Sequence, residues 1–121
     1  MLLNARSLKN KLTDLHAFLL SNVPDVVFIT ESWLDSSITD GVIDPSGLYS
    51  VYRHDRFHKV GGGVLSLVTN RFNSYQVFIP PHFSFTETAS FETVTSSGVF
   101  RLIVVYRPPE FNSIGRDYMR R

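Results

Sequence analysis

The polar and apolar positions change rhythm along the chain, and each change predicts an element. Val26, Val27, Phe28 and Ile29 form an unbroken apolar run directly after Pro24 and Asp25. Apolarity without alternation predicts a strand covered on both faces, as in a sheet flanked by other layers. Before it, Leu8, Leu12, Leu15 and Leu19 recur at helical spacing, which predicts an amphipathic helix from Leu8 to Ser21 with Ser7 as its N-cap. Asn22 and Pro24 stop that helix. Leu2-Leu3 reads as the stub of an earlier strand, so the first third of the chain is a βαβ unit with parallel strands and a right-handed crossover. Asn4 and Glu31 then fall at the carboxyl ends of neighbouring strands, about 5 Å apart across the sheet. Open α/β sheets collect ligands at that edge.

Further on, Asp35 to Gly47 is rich in Asp, Ser, Gly and Pro and predicts a loop. Tyr49–Tyr52 and Val64–Val68 predict strands of an antiparallel hairpin, with Arg56–Gly62 in its long connection. Tyr75–Ile79 predicts another strand, ended by Pro80-Pro81, whereas Phe83–Thr88 has no clear pattern. Ala89–Thr95 and Val99–Tyr106 flank Ser96-Ser97-Gly98, which predicts a second hairpin whose last, apolar strand is central. This inventory holds about six strands and one good helix. It supplies cover for one face of a sheet that needs cover on both, so the chain reads as part of a larger domain.

Composition narrows the field modestly. The 121 residues suit one domain, with 43% hydrophobic and 19% charged positions. Twelve Lys and Arg against eleven Asp and Glu give a net charge of +1, so a polyanion would have to be met by a local patch. The absence of cysteine excludes a disulfide scaffold and a thiolate metal site. No apolar run is long enough to span a bilayer, and the three residues before Asn4 are too few for a signal-peptide core. The expectation is an intracellular protein, nuclear or cytoplasmic, with no membrane partner.

The candidate chemistry centres on Glu31. A lone acid at a strand end is usually solvated, but an amide oxygen from Asn4 at the same edge suits a hard divalent cation such as Mg²⁺. Asn4 also reads more simply as a turn residue capping backbone groups. Arg53, Arg56 and Lys59, with His54 and His58, form a basic cluster able to contact phosphates or to sit as a solvated hairpin tip. Gly61-Gly62-Gly63 is no phosphate loop, because no Gly-Lys-Ser/Thr follows and a strand comes next. Trp33 reads as a core or wall residue rather than a base-stacking platform.

Taken together, Asn4-Ala5-Arg6-Ser7-Leu8, Pro24-Asp25, Thr30-Glu31-Ser32-Trp33-Leu34, Tyr52-Arg53-His54-Asp55-Arg56, Gly61-Gly62-Gly63-Val64 and Val105-Tyr106-Arg107-Pro108-Pro109 closely resemble the endonuclease/exonuclease/phosphatase superfamily. Within it they are most similar to the apurinic-type endonuclease domain of LINE-like (non-LTR) retrotransposons. The resemblance implies a four-layered α/β sandwich, a Mg²⁺-dependent (or Mn²⁺-dependent) hydrolase that nicks DNA phosphodiesters, and a reverse transcriptase portion in the same polyprotein. It implies that Glu31 and Asn4 hold the metal, that Tyr106 stands near the scissile phosphate, and that Glu92 takes the place of an acidic residue on the preceding strand. The family's later Gly-Asp-Phe-Asn and Ser-Asp-His motifs are absent, and His16, His54, His58 and His82 stand in other contexts. Residues 1–121 therefore correspond to an incomplete, N-terminal half of such a domain, expected to be inactive alone. Two alternatives remain open: a non-catalytic remnant or partner-binding domain, and a phosphoester hydrolase of the same superfamily with a non-DNA substrate such as a phosphoinositide.

Overall fold

The computed structural model describes residues 2–56, 61–77 and 87–106. The chain opens with β1 (Leu2–Asn4), α1 (Leu12–Asn22) and β2 (Val26–Thr30), and β1 runs parallel to β2 with Asn4 opposite Thr30. This is the βαβ unit that the periodicity predicts. A single helical turn, α2 (Asp40–Ile43), interrupts the predicted loop, and β3 (Tyr49–His54) and β4 (Val64–Thr69) form the expected antiparallel pair. Together they make a four-stranded mixed sheet in the order β1-β2-β4-β3.

Two further ladders follow. β5 (Asn73–Val77), β7 (Ser90–Thr95) and β8 (Gly98–Leu102) form an antiparallel sheet in the order β5-β7-β8. β6 (Glu87–Thr88) pairs with β9 (Val105–Tyr106), setting Glu87 opposite Tyr106. Ile79 and Pro80-Pro81 lie outside the described residues.

The two sheets explain why β2 is apolar without alternation. Val27 and Ile29 are fully buried on the helix side, in a core with Leu8, Leu15, Leu19, Leu65 and Leu67. Phe28 points the other way, with its ring 6.3 Å from Phe91 of β7, and Tyr52 stacks on the same Phe91 ring at 5.5 Å. The Ser66 hydroxyl donates to the Ala89 carbonyl at 2.7 Å, fastening the second sheet behind β4. The second sheet thus supplies the cover that the sequence reading finds missing. The face left open is the outer one of that sheet, where Tyr75, Val94 and Val99 are exposed.

Three local expectations are corrected. Ser7 is not the N-cap of α1: Lys11 stands there, without a side-chain capping bond. The amides that would begin a helix are used elsewhere, Ser7 N–H donating to the Glu31 carbonyl at 2.9 Å and Leu8 N–H to the Ser32 carbonyl at 2.8 Å. Leu8 keeps its place in the apolar stripe by packing from the turn before the helix. Second, Val99–Tyr106 is not one central strand. The chain leaves β8 after Leu102 and re-pairs as β9 with β6, so β8 lies at the edge of its sheet among the described residues, with β7 in the middle. Third, Phe83–Thr88 contains β6 at its end, too short a strand for a periodic signal.

Candidate active site

The buried run of β2 ends at Thr30, and the next three residues turn sharply. Glu31 and Trp33 both adopt left-handed backbone, with φ of 54° and 56°. A side-chain-bearing residue enters that region only when its surroundings hold it there. Two segments do so. On one side lie the Ser7 and Leu8 amides, and Ala5 N–H donates to the Thr30 carbonyl at 2.9 Å, extending the β1–β2 ladder. On the other, Ser32 N–H donates to the Gly63 carbonyl at 3.2 Å and Trp33 N–H to the Gly62 carbonyl at 2.9 Å.

That second support explains the triple glycine. Gly62 and Gly63 have φ of 66° and 85°. A Cβ on Gly62 would fall 2.1 Å from Arg56 Nη2, and one on Gly63 would fall 2.7 Å from the buried Ser32 hydroxyl. The glycines are there because a guanidinium and the Glu31 turn lie against their backbone.

Into this turn comes Tyr106 from β9, whose hydroxyl donates a hydrogen bond to Glu31 Oε1. Asn4 closes the neighbouring strand in register with Thr30. Residues 4, 31 and 106, distant in sequence, therefore stand at one end of the fold. Among the described residues, neither the Asn4 amide nor Glu31 Oε2 has a hydrogen-bond partner. A carboxylate oxygen and an amide oxygen on adjacent strand ends suit Mg²⁺ or Mn²⁺, which commonly take one or two protein oxygens and leave the other positions to water and phosphate. The donor set fits the metal on that ground. No group of three or more His, Asp or Glu side chains able to hold a metal occurs among the described residues.

The loop acids offer no such site. Asp35 is bound by Lys9 and Ser37, and the Lys9 hydrogen bond foremost holds its carboxyl well below the usual carboxylate range. Asp40 pairs with Arg53 at 3.0 Å. Asp44 is buried and accepts from Ser46 and from the Tyr49 amide.

The described part of the basic cluster is engaged with protein groups. Arg53 donates to Asp55 at 2.7 Å, to Asp40, and to the carbonyls of Asp35 and Ile38, bracing the loop before β3. Arg56 is buried and donates to Glu87 Oε1 at 3.0 Å. Both guanidiniums are turned onto protein acceptors. Lys59 and His58 lie outside the described residues, as does His82. His16 Nε2 lies 2.9 Å from the Val42 carbonyl, joining α1 to α2. Glu92 sits on β7 bound by Tyr75 and Arg101, away from Glu31. Those bonds lower its carboxyl below its ordinary range, and the Tyr75 phenol is raised by the same contact. Trp33 is 37% exposed and stands at the rim beside Gly61.

Sequence reasoning missed Glu87. It is 6% exposed, and its carboxylate accepts from Arg56 and from Gly63 N–H at 3.1 Å, directly across β6–β9 from Tyr106. Its only sequence signal is an acid in an otherwise apolar and hydroxylic stretch.

No known protein-family profile matches the sequence, and no curated protein matches it. Solved structures do. A Neisseria 3′ phosphatase, NExo, bound to a product DNA hairpin aligns with a TM-score of 0.65 at 18% identity, over 95% of this chain and 46% of that one. The NExo 3′-5′ exonuclease of Neisseria meningitidis gives 0.65 at 17% identity over the same shares. The AP endonuclease LMAP of Leishmania major gives 0.57 at 18% identity, over 88% of this chain and 38% of that one. The chain therefore has the fold of the exonuclease and AP endonuclease structures and spans less than half their length. No helix among the described residues is long and apolar enough to cross a membrane.

Proposed function

We propose that residues 1–121 form the N-terminal, metal-binding half of a divalent-metal-dependent DNA phosphodiester hydrolase, of the LINE-like retrotransposon endonuclease type. The observation that carries this reading is the meeting of Asn4, Glu31 and Tyr106 at one end of the fold, each from a different motif of the resemblance. The structural neighbours, one of them bound to a product DNA hairpin, point to DNA as the substrate class. A reverse transcriptase portion of the same polyprotein is the partner the resemblance implies, within the cell.

In this reading the Glu31 carboxylate and the Asn4 amide oxygen would hold Mg²⁺ or Mn²⁺. The bound ion would supply Lewis-acid stabilisation of charge on a phosphate oxygen. Tyr106 fixes the rotamer of Glu31 through its hydroxyl, leaving the second carboxylate oxygen for the metal. Alignment of a water and proton transfer fall to groups of the family's later motifs.

The substrate class is tested by fluorescence anisotropy with a labelled DNA duplex. Binding should strengthen when Mg²⁺ replaces EDTA, and Glu31→Gln should remove that gain while leaving binding in EDTA unchanged. Displacement of the metal-dependent component by an inositol phosphate but not by unlabelled duplex would move the substrate to a lipid headgroup. Binding indifferent to both metal and Glu31 would favour a non-catalytic, partner-binding remnant.

A further inference from the structure

Arg56 and Glu87 form a buried ion pair, with side chains 7% and 8% exposed, that none of the assigned roles uses. Burial alone says little about its purpose, because apolar residues of similar volume often replace such pairs without loss of stability. Its connections say more. Both oxygens of Glu87 accept from Gly63 N–H, at 3.1 and 3.3 Å, while Oε1 also accepts from Arg56. The carbonyls of Gly63 and Gly62 in turn hold the amides of Ser32 and Trp33, the two residues after Glu31. On its own strand Glu87 faces Tyr106, whose hydroxyl returns to Glu31. These links close a ring: Glu31, Ser32, Gly63, Glu87, Tyr106 and again Glu31.

We propose that the Arg56–Glu87 pair is a positioning device that holds Glu31 and Tyr106 in mutual register for metal binding. Two features of the ring need such an anchor. Among the described residues the β6–β9 ladder that carries Tyr106 pairs Glu87 with Tyr106 and Thr88 with Val105, extended by Ala89 N–H donating to the Val104 carbonyl at 3.3 Å, and a two-stranded ribbon of this length is only marginally stable alone. Glu31 and Trp33 are both left-handed, a conformation that relaxes unless neighbouring groups fix it. Among the described residues Glu87 reaches the Gly63 backbone from the strand paired with Tyr106, and Arg56, packed against Gly62, donates to its carboxylate and aims it. The pair acts on the metal through Glu31, much as outer residues orient metal ligands elsewhere.

The inference rests on Glu31 being a metal ligand, and the experiment separates the two. The full 121-residue chain is labelled with carbon-13 at tyrosine Cζ, with the Tyr106 resonance identified by Tyr106→Phe. That resonance reports the hydrogen bond to Glu31 without any metal, and Mn²⁺ affinity reports the site. Glu87→Gln, and the apolar double variant Arg56→Met with Glu87→Leu, should move the Tyr106 resonance to its position in Glu31→Gln. Each should weaken Mn²⁺ binding about tenfold or more. Asp25→Asn, which breaks the exposed pair with Arg71 at the other end of β2, should change neither. A folded double variant with both readouts unchanged overturns the proposal, and so does Glu87→Gln with both unchanged if the double variant does not fold. If the Tyr106 resonance moves but the wild-type chain holds no Mn²⁺ at Glu31, the positioning role stands and the metal reading falls. If Mn²⁺ binds at Glu31 and the variants alter neither readout, the metal reading stands and the positioning role falls.

Discussion

In saturating Mg²⁺, the 121-residue chain should leave supercoiled plasmid uncut. Hydrolysis of a phosphodiester needs charge stabilisation at the phosphate, an aligned water, and proton transfer by a positioned group. In the proposed reading Glu31, Asn4 and Tyr106 would answer to the first requirement and to part of the positioning. For the third, His16 is engaged with the Val42 carbonyl, and Glu87 and Arg56 are buried against each other. General acid–base catalysis alone contributes about 10²–10⁴-fold, and loss of the water-aligning groups multiplies that deficit. The assay compares the chain with Glu31→Gln. Robust nicking by the first, abolished in the second, would show that the missing chemistry is supplied another way, for instance by a second copy of the chain.

Phe91→Ala should destabilise the chain by about 3–5 kcal/mol, the range for truncating a large buried aromatic ring. Phe91 is fully buried and is the ring on which both Phe28 and Tyr52 of the first sheet rest. Its removal opens a cavity between the sheets, where no side chain of the well-paired β2–β4–β3 ladder can collapse inward without breaking register. Since whole domains are stable by only about 5–15 kcal/mol, this is a large share of the reserve. Val94→Ala on the same strand faces the open side and should cost little. Equal effects in a denaturant titration would mean that the two sheets do not pack through Phe91.

The elements with long, regular patterns were legible in the sequence. The leucine stripe of α1, the continuous run of β2 and the paired patterns of β3 and β4 each follow from which faces are covered. A βαβ unit puts Asn4 and Glu31 at the same edge of the sheet, since its strands are parallel, and the pairing of β1 with β2 makes those strand ends neighbours. The entry of Tyr106 beside Glu31 was not legible from pattern, since the described part of β9 is two residues and has no period. The start of α1 was misplaced because Ser7 is a good cap in isolation, whereas tertiary hydrogen bonds to the Glu31 turn claim its amide. Val99–Tyr106 is apolar enough for a central strand, and only pairing reveals that its apolar residues serve two ladders. For Arg53 and Arg56 the sequence left phosphate contact and a solvated hairpin tip open, because charge in a sequence does not show which way a guanidinium turns. Asp40, Asp55 and Glu87 decide that, from positions no local pattern connects.

The central claim is that Glu31 and Asn4 make a metal site, and a titration of the labelled chain with Mn²⁺ tests it most directly. Two protein oxygens leave the ion mostly hydrated, so binding should be weak and easily saturated only at high metal. Amide resonances of residues 4–7 and 30–33 should broaden before any others, and Glu31→Gln should abolish that order. Broadening that begins instead at Asp35, Asp40 and Asp44, and survives Glu31→Gln, would contradict the account.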